Sequence, residues 1–94
     1  MFNTHSRWDR HLPYDPTEAE SLEVGVIFRK GQAHPKWFVW KGRRYAVKAT
    51  TFRWQDKRGT EKLHLFSVTD GINLYQIHFN PSLMHWRLEK ICPA

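Results

Sequence analysis

The chain has 94 residues, 40% of them hydrophobic, 26% charged and 15% aromatic, and its 15 Lys and Arg against 9 Asp and Glu give a formal charge of +6. A chain of that length forms one domain whose core buries roughly 60 to 65% of the surface exposed on unfolding. The lone cysteine, Cys92, excludes an intrachain disulfide and a zinc site built on several thiolates.

Residues 1–22 read as an N-terminal arm, because Pro13, Pro16, Asp15, Asn3 and Ser6 interrupt any hydrophobic period. The arm has room for one short helix. Asp15 or Thr17 would cap it, Pro16 would sit in its first turn, Glu18 and Glu20 would lie near the positive end of its dipole, and it would run to Leu22. The first ten residues, with Arg7, Asp9 and Arg10, lack the apolar stretch of a secretory signal. The longest apolar run, Trp37–Trp40, is far short of the ~20 residues that span a bilayer. A cytoplasmic protein without a membrane partner is therefore expected.

Residues 23–94 carry β-branched and aromatic runs divided by turn signals, the pattern of an all-β domain. The expected strands are Val24 to Lys30, Lys36 to Lys41, Arg44 to Gln55, Leu63 to Thr69, Ile72 to Phe79, and a last one anchored by Trp86, Leu88 and Ile91. The third is long enough to need a bulge or bend near Thr50 or Thr51. Between the fourth and fifth, Asp70-Gly71 signals a two-residue type I′ hairpin, in which Thr69 opposes Ile72, Phe66 opposes Tyr75 and His64 opposes Ile77. That register puts Phe66, Val68, Tyr75 and Ile77 on one apolar face. The expected architecture is a five- to six-stranded antiparallel meander curled into a small SH3-like or OB-like barrel, which hides its strand edges.

Ten of the fifteen basic residues fall within residues 29–58, opposed there by Asp56 alone. Among them stand Trp37, Phe38, Trp40, Tyr45, Phe52 and Trp54. A concentrated positive field with flat π surfaces suits a polyanion whose bases can stack. Lys36, Lys41, Arg43, Arg44, Lys48 and Arg53 are the phosphate-contact candidates, and Trp37, Trp54 and Tyr45 the stacking candidates, Tyr45 with a competing place in the core. The plainer reading of the same residues is a solvated basic face whose arginines lie on the protein's own rings. At the tip of the second hairpin, Gly42-Arg43-Arg44 projects two guanidinium forks that match phosphate or carboxylate.

Chemistry finds less support. The six histidines show no metal-ligand spacing, since His64 and His78 fall on opposite faces of their hairpin and His85 begins another strand. Ser6, Ser21, Ser67 and Ser82 lie in no nucleophile context, Cys92 has no local base, and a Gly-rich phosphate loop is absent. No enzyme, metal or cofactor is expected.

The stretch Phe38-Val39-Trp40-Lys41-Gly42-Arg43-Arg44-Tyr45-Ala46-Val47, with Trp54 downstream and the closing Trp86-Arg87-Leu88, resembles a family of small bacterial β-rich proteins of unknown function. The resemblance covers roughly residues 37–91 and implies a bacterial origin and a compact β domain. It assigns no functional residue. The expected function is noncatalytic binding of single-stranded or structured RNA or DNA on a basic, aromatic β face. The alternative is a protein-interaction module that takes an acidic or extended partner on the same face or on a strand edge.

Overall fold

The structure is a computed structural model that describes residues 20–93. Seven strands follow one another: β1 Glu20–Arg29, β2 Gln32–Trp40, β3 Arg43–Ala46, β4 Ala49–Arg58, β5 Glu61–Thr69, β6 Asn73–Asn80 and β7 His85–Pro93. All neighbours pair antiparallel, in the order β3-β2-β1-β7-β6-β5-β4. The two outermost strands are thus consecutive in the chain. The sheet curls until its edges meet at Val47 and Lys48, where the Val47 N–H donates to the Lys36 carbonyl (2.9 Å) and the Lys48 N–H to the Thr69 carbonyl (2.8 Å).

That seam explains the count of seven rather than five or six. The expected third strand is present, but its first part pairs with β2 and its second with β5, so it divides at the crossing. A register shift between Thr50 and Phe52 then leaves Thr51 out of the ladder, its hydroxyl donating to the Ser67 carbonyl at 3.1 Å. Beyond the seam the two edges splay apart. Residues 32–35 of β2 and most of β4 each keep one edge out of the ladder, so the sheet forms a curled half-barrel with a slot between β2 and β4.

The expected helix is overturned where it can be followed. Glu20, Ser21 and Leu22 are strand, paired with Leu88, Arg87 and Trp86. Burying Leu22 beside β7 satisfies this backbone in a ladder. The remainder of that helix, and the arm before it, lie outside the described residues.

The inner face holds the core: Leu22, Phe38, Phe66, Val68, Tyr75, Ile77 and Leu88, with Tyr45, Trp40 and Trp86 packed against it. The β5–β6 register differs from the expected one by two residues. Thr69 pairs with Leu74, Phe66 with Ile77 and His64 with Phe79. The cause is Asp70, whose Oδ1 accepts the N–H groups of both Ile72 and Asn73 at 2.8 Å and so caps a four-residue loop instead of entering a type I′ turn. A shift of two keeps every side chain on its face, so Phe66, Val68, Tyr75 and Ile77 still share the core.

Candidate nucleic-acid interface

The β2–β3 hairpin turns through Lys41 (φ 53°) and Gly42 (φ 76°), the positive pair that a type I′ turn demands. This tip carries Lys41, Arg43 and Arg44, all exposed. Each lies over a ring: the Lys41 ammonium is 5.0 Å from the Trp40 ring, the Arg43 guanidinium 5.7 Å from Tyr45, and the Arg44 guanidinium 4.4 Å from Trp37. Such stacking restricts long, flexible cations and holds their N–H groups ready for an anion.

The stacking roles change accordingly. Tyr45 lies against the core, parallel to Phe38 with centroids 5.0 Å apart. Trp37 has Arg44 over its ring and Gly25, its cross-strand partner, beside its indole. A Cβ at Gly25 would sit 2.0 Å from the indole nitrogen. One face of the Trp37 indole is thus covered by Arg44 and its pyrrole edge lies against Gly25. Trp54 is half-buried and points outward from β4 beside Phe52, which sequence reasoning left out of the site although it is 63% exposed. Their rings lie 5.3 Å apart. The bulge at Thr51 interrupts the alternation: Thr50, opposite Val68, faces the core, and Phe52, opposite Ser67, faces out with Trp54.

The remaining candidates flank the seam and the slot. Lys36 is the extra residue of a β2 bulge, since Gly25 pairs with Trp37 and Val26 with Pro35. Lys48 sits across the seam with its stem near Gly71. Both are exposed. Among the described residues, no carboxylate lies within 4.0 Å of Lys36, Lys41, Arg43, Arg44, Lys48 or Arg53. The ion pairs gather instead around Glu89, on the outer face of β7.

Arg53 behaves differently from the other five. It points inward from β4, pairing with Phe66, and spans the slot: Nη1 donates to the Ala33 carbonyl at 2.5 Å and Nη2 to His34 Nδ1 at 3.1 Å. Because a guanidinium can only donate, His34 accepts and is the neutral tautomer protonated on Nε2. Desolvation, and then the Arg53 charge, push the His34 imidazole below its ordinary range. Beneath the Arg53 bridge lies a cavity of about 490 Å³, open between the β1–β2 turn and β4. Phe66, Phe79 and Trp86 line it with Gln32, Gln55 and His64. Trp86 is 5.4 Å from Phe66 and 5.0 Å from Phe79, centroid to centroid. In the sequence these rings read only as core anchors, because nothing local reveals that the curled sheet stays open at this end.

The outer face carries a second polar cluster. Glu89 accepts both Arg58 Nη groups (2.6 and 3.0 Å), His78 Nδ1–H (2.5 Å) and the Gln76 amide (2.9 Å). Burial raises its carboxyl, but the hydrogen bonds from His78 and Arg58 outweigh that and bring it down to about 2. Among the described residues no three His, Cys, Asp or Glu side chains come together as metal ligands. No protein-family model, no curated protein and no solved structure matches this chain.

Proposed function

We propose that this protein binds nucleic acid noncatalytically, with the phosphates of a single-stranded or structured RNA or DNA running along the exposed cations of the β2–β3 tip and the seam, and with the tip gripped from both sides of its hairpin. The observation that carries the reading is the group of exposed cations at Lys36, Lys41, Arg43, Arg44 and Lys48, with no carboxylate within 4.0 Å among the described residues, Arg43 on the Tyr45 side of the β2–β3 hairpin and Arg44 on its Trp37 side. Three of them are braced on rings. Released counterions would supply most of the affinity, and Trp54 with Phe52 would offer the stacking surface. The half-barrel is read as a small barrel of the SH3-like or OB-like kind, whose sheet face accommodates oligonucleotides in the OB case. Alanine at Arg43 and Arg44 tests it: binding of a labelled oligonucleotide should weaken, and its salt dependence should become shallower.

A second reading rests on a separate observation, the unpaired outer edge of β4 facing the unpaired start of β2. An extended acidic segment added to β4 would gain main-chain hydrogen bonds there. Competition between such a peptide and an oligonucleotide separates the two, because only the peptide needs the β4 edge.

A further inference from the structure

We propose that the cavity beneath Arg53 takes one unstacked guanine base from the bound strand; this rests on the nucleic-acid reading above. Arg53 gives the strongest indication. Its guanidinium is half-buried, 5.7 Å from the Phe66 ring centroid, and has no carboxylate within 4.0 Å among the described residues. Of its five N–H groups, the contacts to Ala33 and His34 use two, leaving three without a hydrogen-bond partner among the described residues. A partly desolvated cation of this kind calls for an acceptor-rich ligand.

The surroundings specify what that ligand is. The cavity of about 490 Å³ falls in the range of small-ligand sites, and its wall of Phe66, Phe79 and Trp86 offers π surface to a planar group. Gln55 and His64 add hydrogen-bonding groups at its edge. A nucleobase meets these demands together: its face lies on the rings, and its edge meets the guanidinium. Guanine presents N7 and O6 side by side as acceptors, whereas adenine places an amino donor beside N7, against a group that only donates. The other cations then hold the backbone while Arg53 reads a base, so Arg53 leaves the set of plain phosphate contacts.

The test uses the full chain and three labelled single strands of equal length and phosphate count, abasic except at one central position that holds guanine, adenine or no base. The expected result is binding of all three, with the guanine strand about tenfold tighter than the adenine strand and the strand without a base the weakest. In addition, Arg53→Gln should bring the guanine strand level with the adenine strand. Equal affinity of the wild-type chain for the guanine and adenine strands would overturn the guanine site while leaving the phosphate-binding reading in place. Failure of every strand to bind, at the lowest salt, would overturn both.

Discussion

The indole of Trp37 fills the space that a Cβ on Gly25 would need, with its ring nitrogen 2.0 Å from that position. The two residues are cross-strand partners in β1 and β2, and Arg44 stacks over the same ring at 4.4 Å. Gly25→Ala should therefore push the indole outward and cost about 1 to 3 kcal/mol of stability. Urea denaturation reads the change directly, and unaltered stability would mean that the ring has room to move.

Arg43 and Arg44 are exposed, and their contacts are with the Tyr45 and Trp37 rings, with no carboxylate within 4.0 Å among the described residues. Replacing both by alanine removes two exposed cation–π contacts and should lower stability by about 1 to 2 kcal/mol without unfolding the chain. The salt slope of single-strand binding should fall by about 1.4, roughly 0.7 for each phosphate that is no longer neutralised. Titrations at several salt concentrations measure it.

Glu89 ties Arg58, Gln76 and His78 together, and its side chain is 9% exposed. Its carboxyl lies at about 2, against 4.5 for the unperturbed group. A depressed carboxylate stabilises the fold above the unfolded value and gives up that contribution as pH falls through the folded one. Stability should therefore decline from about pH 4.5 toward pH 2, by roughly 3 kcal/mol at the limit. Glu89→Gln should lower stability at pH 7 by a comparable amount and flatten this acid limb, as read from urea midpoints across pH.

Asp70 accepts from Ile72, Asn73 and the Tyr75 hydroxyl. Burial pushes its carboxyl up, but those hydrogen bonds prevail and hold it below the ordinary aspartate value. Asp70→Ala removes the loop cap and leaves the Tyr75 hydroxyl without this acceptor, for about 1 to 3 kcal/mol. Asp70→Asn should cost less, because its amide oxygen still caps the loop. Thermal unfolding of the two variants gives the order.

These residues also show how far the sequence carries. The all-β class and the core face of the β5–β6 hairpin are legible because alternation is local, and a difference of two residues in register cannot move a side chain across the sheet. The turn itself is not legible, since an Asp-Gly pair looks the same whether Asp70 enters the turn or caps it. The need for a bend in the third strand is visible in its length, but its division at Val47 depends on which strands come to flank it. The cations of the proposed interface are legible as a cluster. Their bracing by Trp37 and Tyr45 is not, because ring contacts across strands depend on register. The cavity is hidden for the same kind of reason: Phe79 and Trp86 mark apolar strands, and only the splay between β2 and β4 gives them an opening.

The exposed cations of β2, β3 and the seam are proposed to bind the phosphates of a nucleic acid. The most direct measurement is an anisotropy titration of the full chain with a labelled single-stranded oligonucleotide over a series of salt concentrations. Engagement of about four or five phosphates gives saturable binding whose log affinity falls with log salt at a slope of about −3. Absence of binding at the lowest salt, or affinity indifferent to salt, would exclude phosphate binding by these cations.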